Sequence, residues 1–170
     1  MAGGQTQVRS HPGVQATPDP PLRIALVEPE IPGNTGSVGR LSMATGCPLH
    51  LVEPLGFQVD DRHLRRAGMD YWRSAEVYYH DSFEALATEL RAPRFYLLTA
   101  RGAAPHTAIP FQRGDLIVFG RESVGLPPDF LAAYPERCYR IPMWNNARSH
   151  NLSNAVAIVL YEGLRQLGCY

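Results

Sequence analysis

Short apolar runs alternate with helical segments along most of this chain, and that alternation limits the fold more than any other feature of the sequence. Residues 23–27 read as a strand. Residues 34–45 read as a helix, with Asn34 as the N-cap and Gly46 as the stop. Residues 49–52 are apolar again, 60–66 form a polar helical segment, and 76–79 read as a strand. Residues 81–90 predict a helix with Asp81 and Glu84 in capping-box spacing. Residues 95–99 and 116–119 are near-continuous apolar runs of strand length, as strands buried on both faces require. A short strand follows at 139–141. The clearest helix covers 151–167, with Leu152, Val156, Val159, Leu160, Leu164 and Leu167 on one stripe. Strands alternating with helices mean an α/β fold with a parallel sheet. In such sheets ligands sit beyond the carboxyl ends of the strands.

With 170 residues the chain is one domain. Residues 1–21, rich in Gly, Pro, Gln and Thr, read as a disordered N-terminal extension, which leaves 22–170 as the domain. No run approaches the ~18 apolar residues of a membrane span, and no secretory signal is visible. Three cysteines without C-x-x-C spacing argue against a disulfide framework and for a reducing cytoplasm. Acidic and basic residues balance at 16 each, which excludes a strongly basic nucleic-acid glove but not a local patch. Every basic residue is arginine, so lysine Schiff bases and Walker P-loops are excluded. The six histidines adopt no H-E-x-x-H pattern, and no serine sits in G-x-S-x-G, so neither a metal centre nor a hydrolase elbow is expected.

Three loops are richer than connection requires. The first, EPEIPGNTGSVGR, lacks dinucleotide spacing in Gly33, Gly36 and Gly39. It carries Arg40 about two turns into its helix, where an apolar side chain is the default. A salt bridge to Glu28 or Glu30 and a phosphate or ribose contact are both open for it. The second, FGRESVGLP, begins with Gly120, which would let a ligand approach the backbone; an ordinary strand–turn–helix junction reads the same way. The third, IPMWNNARSHNLSN, packs Asn145, Asn146, Arg148, Ser149, His150, Asn151, Ser153 and Asn154 before the best helix, more than capping needs. A fourth segment, DDRHLRRAGMDYW, places Arg62, Arg65 and Arg66 on one helix face beside Tyr71 and Trp72. It is either a solvated face or a phosphate-contacting RNA patch.

These loops, in this order, resemble the SPOUT superfamily of methyltransferases. More narrowly they are similar to the TrmL-like branch of its TrmH group, whose members act on the tRNA wobble nucleotide. The carrying segments are EPEIPGNTGSVGR, LHLVEPLGF, DDRHLRRAGMDYW, FGRESVGLP and RSHNLSNAVAIVLYEGLRQLG, in register over residues 22–168. The resemblance implies a C-terminal trefoil knot, a homodimer, and S-adenosyl-L-methionine as methyl donor without a metal. It implies an enzyme that methylates the ribose 2′-hydroxyl of the wobble cytidine or uridine in the tRNA anticodon loop, with leucine tRNAs as the expected set. By position, Leu98, Gly120, Ile141 and Ser149 match cofactor contacts. Arg40, Arg148, Asn151 and Tyr161 match residues linked with catalysis or RNA binding, and Ser149 joins them at the methyl-donor end. The match departs at Val124, where the family often carries an arginine; here an arginine sits earlier, at Arg121, and is assigned with Arg62, Arg65 and Arg66 to RNA.

The sulfonium is an activated leaving group, so the enzyme must supply alignment and help in removing a hydroxyl proton. Arg40 is the family's candidate base. A guanidinium stays protonated in proteins, so the role expected here is to grip the adjacent phosphate and stabilise developing alkoxide charge. Trp144 and Tyr71 are candidate platforms on which an unpaired base stacks. Two rivals are a non-catalytic RNA-binding or nucleotide-binding module, and methylation at another tRNA or rRNA site. The presence of both Arg40 and Asn151 favours an enzyme.

Overall fold

Strands flanked by helices on both sides must bury both faces, and this chain meets that demand by sending alternate apolar residues to opposite sides. A computed structural model describes residues 9–10, 15–59 and 71–170. Its strands are β1 (Arg9–Ser10), β2 (Leu22–Val27), β3 (Leu49–Val52), β4 (Val77–His80), β5 (Phe95–Leu98), β6 (Ala104–Pro105), β7 (Asp115–Phe119) and β8 (Cys138–Arg140). Its α-helices are α1 (Pro32–Thr45), α2 (Phe83–Glu89), α3 (Pro128–Ala133) and α4 (Leu152–Gln166). The sheet order is β1-β4-β3-β2-β7-β5-β8-β6. All neighbours are parallel except β1, which joins β4 antiparallel.

Along β2, Leu22, Ile24 and Leu26 pack with Val38 of α1 and with Val156, Val159 and Leu160 of α4. Ala25 and Val27 turn to the other layer, with Leu86 of α2 and Phe130 of α3. Each fully buried Leu or Ile contributes roughly 1.5–3 kcal/mol of transfer free energy. The stripe predicted on α4 is the buried one, joined by Gly163 and with Leu167 partly covered.

Several local expectations shift. Helix α1 starts two residues early, on Pro32, so Asn34 lies inside it and Ile31 occupies the N-cap without a side-chain bond. Gly46 ends it in the left-handed region, at φ 64°. The buried face of α1 is made of small residues, Thr35, Gly36, Val38, Gly39 and Ser42, so Arg40 points outward and no apolar residue is missing there. A Cβ on Gly39 would lie 2.6 Å from the Trp72 ring, which is fully buried and therefore no surface for RNA. Helix α2 is capped by Ser82, whose hydroxyl accepts from the Ala85 N–H at 3.1 Å, not by Asp81. Described residues of the N-terminal extension also take part in the fold. Beyond the β1 pairing, the Thr17 N–H donates to Glu76 at 3.0 Å and Asp19 pairs with Arg113 at 3.1 Å.

Strand β8 lies between β5 and β6, which residues 99–103 connect. That connection crosses β8 at backbone contact. The Thr99 N–H donates to the Tyr139 carbonyl at 2.9 Å. Arg140 donates to the Gly102 carbonyl at 2.8 Å and to that of Ala103. Any Cβ at Gly102 would collide with the Tyr139 backbone.

Under α2 runs a buried polar chain. His50 Nδ1 lies 3.0 Å from His80 Nε2, and His80 Nδ1 lies 3.2 Å from Glu89 Oε2. Burial lowers the His50 pKa well below 6.5 and that of His80 to about 4, and it raises that of Glu89. No helix among the described residues is long and apolar enough to cross a membrane.

Candidate functional site

Strands β2, β5, β7 and β8 run parallel, so the loops after them gather at one end of the sheet. Together with the start of α4 they enclose a cavity of about 700 Å³. That lies within the range of small-molecule sites. Leu98, Gly120, Ile141 and Ser149, expected to touch a cofactor, all line it, as do Arg148, Asn151 and Arg121.

Gly120 has a different local reason from the one its sequence suggests. A Cβ there would collide with the backbone of Gly125 and Leu126, the loop's own return. Arg121 and Gly125 close that return with two backbone bonds, at 3.2 and 2.9 Å, and Gly125 sits at φ 75°. Gly120 thus shapes the cavity wall by letting the β7 loop fold onto itself.

The loops are bolted together by carboxylates. Glu122, in the β7 loop, accepts from the N–H groups of Glu30 at 2.8 Å and Ile31 at 3.2 Å, and from Asn34 Nδ2 at 3.1 Å. It supplies the N-terminal capping that α1 lacks from its own residues. Glu30 reciprocates, accepting from the Ser123 N–H at 2.9 Å and its hydroxyl at 2.8 Å. Asn151 caps α4 as expected, accepting from the N–H groups of Ser153 at 3.0 Å and Asn154 at 3.3 Å. Its amide donates to Asn34 Oδ1 at 2.9 Å. The result is one line, Glu122–Asn34–Asn151, joining the loops after β2, β7 and β8. Sequence reasoning did not single out Glu28, Glu30, Asn34 or Glu122 for these contacts; the visible signal was three carboxylates inside two glycine-bearing loops.

Glu28 follows β2 at φ 52°, a left-handed backbone for a non-glycine residue. It forms an ion pair with Arg121. Arg40 has no carboxylate partner among the described residues; its guanidinium covers the Tyr71 ring, 4.6 Å from the centroid. Tyr71 also donates its hydroxyl to the Gly36 carbonyl, so one ring face and the polar tip are taken and it offers a poor platform. Trp144 is 90% exposed in the β8 loop. Arg40 and Tyr161 do not line the cavity. Tyr161 is half-exposed on α4, near Tyr170. Arg62, Arg65 and Arg66 lie outside the described residues. Among the described residues no group of three or more His, Cys, Asp or Glu could hold a metal.

Residues 21–161 match the SpoU rRNA Methylase family. The tRNA (cytidine(34)-2'-O)-methyltransferase of Escherichia coli (strain K12) is 48% identical over 148 residues, which covers 86% of this chain and 94% of the relative. A solved structure concerned with the 2-OH methylation of C/U34 on tRNA superposes with a TM-score of 0.80 at 44% identity, over 88% of this chain and 97% of that one. An AdoMet-bound rRNA methyltransferase from Sinorhizobium meliloti superposes with a TM-score of 0.74 at 25% identity, over 86% of this chain and 56% of that one.

Proposed function

Because the chain belongs to the SpoU rRNA Methylase family, we propose that it methylates the 2′-hydroxyl of the wobble cytidine or uridine of tRNA, with S-adenosyl-L-methionine as donor. One observation carries the reading. The loops after four parallel strands close on a single cavity whose wall holds Leu98, Gly120, Ile141, Ser149, Arg148 and Asn151 together.

The residues present fit the donor. Leu98 and Leu126 are nearly buried walls, suited to the flat apolar faces of an adenine. The folded-back loop 120–125 and the N-terminus of α4 offer backbone groups and a positive dipole end, suited to ribose hydroxyls and a carboxylate. When bound, S-adenosyl-L-methionine supplies a methyl on a sulfonium. The chain's own residues then orient and stabilise. Asn151 fixes the start of α4 and holds Asn34, which supports a role for the nearby cavity residue Ser149 at the methyl-donor end. Arg148, on the cavity wall, is placed to hold RNA phosphate. Arg40, exposed and without a carboxylate partner among the described residues, is available to the phosphate beside the reacting ribose and to the alkoxide that develops there.

Arg40 and Tyr161 sit off the cavity of their own chain, on α1 and α4. The outward side of these helices also carries the exposed Met43 and Ile158. A homodimer through this face, bringing Arg40 of one subunit to the cavity of the other, completes the site. The crossing of residues 99–103 over β8 supports the trefoil knot, and three free cysteines fit a cytoplasmic setting. The expected substrates are leucine tRNAs. Mass mapping of ribose methylation in tRNA from cells lacking the gene tests the assignment. Loss of the 2′-O-methyl group at nucleotide 34, restored by the wild-type gene, is expected; an unchanged nucleotide 34 overturns it.

A further inference from the structure

The chain has two tryptophans, and they are treated in opposite ways. Trp72 is fully buried, while Trp144 is 90% exposed. Desolvating an aromatic ring is favourable, so burial is the default for a side chain of this size. Trp144 instead stands in water one residue past Met143 and four before Arg148, both on the cavity wall. The loop residues that follow it are exposed and mostly polar, unlike the neighbours of a core tryptophan. Asn145, Asn146 and Arg148 beside it are exposed. No Asp or Glu occurs between Glu136 and Glu162. Arg101 and Arg148, both on the cavity wall, have no carboxylate partner among the described residues. A free ring face, adjacent amides and unneutralised guanidinium groups together match the stacking-plus-phosphate chemistry by which single strands are held.

We propose that Trp144 is the stacking platform for one unpaired base of the RNA loop whose ribose enters the cavity. The proposal rests on the RNA methyltransferase reading above and adds a binding residue to it. Stacking accepts any base, so Trp144 selects for an unpaired, splayed loop and not for a sequence. The exposed amides of Asn145 and Asn146, next to Trp144 in the chain, supply donors and acceptors for the edge of the stacked base.

Because Trp72 is shielded, emission from solvent-exposed indole reports on Trp144. Acrylamide is expected to quench it in the free protein, and a synthetic anticodon stem–loop RNA is expected to quench it on binding. Trp144→Phe should remove the signal but keep the KM for the stem–loop near that of wild type. Trp144→Ala should raise that KM on the order of ten- to a hundredfold, with kcat at saturating RNA nearly unchanged. Replacing the stacked nucleotide by an abasic one should mimic Trp144→Ala, and the two changes together should cost little more than either alone. Three results would each overturn the proposal. They are an indole shielded from acrylamide in the free protein (a second copy of the chain covers it), RNA binding without change in emission, and an unaltered KM in Trp144→Ala. Methyl transfer by wild type distinguishes the two levels. Its absence defeats the underlying reading, whereas normal transfer with an indifferent Trp144 defeats only this one.

Discussion

A guanidinium resting on a phenol ring is held in place without being neutralised. Arg40 is in that state, since Glu28 and Glu30, the carboxylates its sequence position suggests, are taken by Arg121 and Ser123. Arg40→Ala is expected to lower kcat on the order of 10²–10³ and to leave cofactor affinity nearly unchanged, as loss of one preorganised charge-stabilising donor does. Single-turnover rates at saturating tRNA and cofactor check this, and equal rates for variant and wild type reduce Arg40 to a binding residue. Arg40→Lys should not rescue, because a point charge lacks the fork that spans a phosphate and a ribose oxygen. Glu122 makes a different claim. Its carboxylate receives three donors, so Glu122→Gln sets an N–H₂ against at least one N–H and weakens the capping of α1 by about 1 kcal/mol. For a domain of this size the melting temperature should fall by roughly 2–4 °C. Cofactor binding, measured by calorimetry, should weaken with it, because the same carboxylate ties loop 120–125 to α1. The role of Arg40 was read from the sequence, but the Glu122 contacts were not legible locally. Asn34 has the right chemistry for an N-cap, but the cap arrives from a residue 88 positions later, and a window on the sequence cannot contain it.

At the scale of elements, what was legible is what depends on period and propensity. The buried strands, the stripe of α4, Asn151 as its cap and Gly46 as the stop of α1 follow from side-chain chemistry within a few residues. What was not legible depends on which element lies across the gap. Trp72 is core because Gly39 leaves it room, and β8 is interior because residues 99–103 bridge over it. That bridge yields a prediction. Gly102→Ala puts a Cβ into the Tyr139 backbone, a position with no flexible side chain to move aside. A loss of at least 2 kcal/mol is expected, on the scale of the larger steric and backbone effects, read as a lower urea midpoint, whereas Gly33→Ala meets nothing within 4 Å and serves as control. The buried pair of β3 and β4 gives a pH dependence. Both imidazoles titrate below 6.5 in the folded chain, so on acidification the unfolded chain takes up these protons first. The stability contributed by the neutral pair is complete above about pH 6.5 and is lost as pH falls toward 4. Glu89, which faces His80 from α2, titrates high through burial and works in the opposite direction, while Asp81 favours the protonated form of His80 and Arg23 the neutral form of His50. Urea midpoints should drop between pH 6.5 and 4 in wild type and drop less in His80→Gln.

For the whole molecule, the placement of Arg40 away from its own cavity is the feature that the proposed homodimer accounts for. Mixing an Arg40→Ala chain with a Gly120→Val chain tests the arrangement, since Gly120→Val collides with the loop's own return and is expected to disable the cavity of its own subunit. Activity regained in the mixture is expected, because each heterodimer keeps one intact cavity facing one intact Arg40; no recovery would show that each site is self-contained. The slot between β5 and β6 has a further consequence, and it concerns synthesis. A ribosome delivers β5, β6 and β7 well before β8, so the growing chain exposes two strand edges turned toward each other with nothing yet to fill them. Such edges recruit strands from other molecules. A nascent chain cut short before residue 138 is therefore no weaker catalyst of the same kind. It is a gapped sheet that lacks both α4 and the last wall of the cavity, and it offers its neighbours in the cell a place to insert.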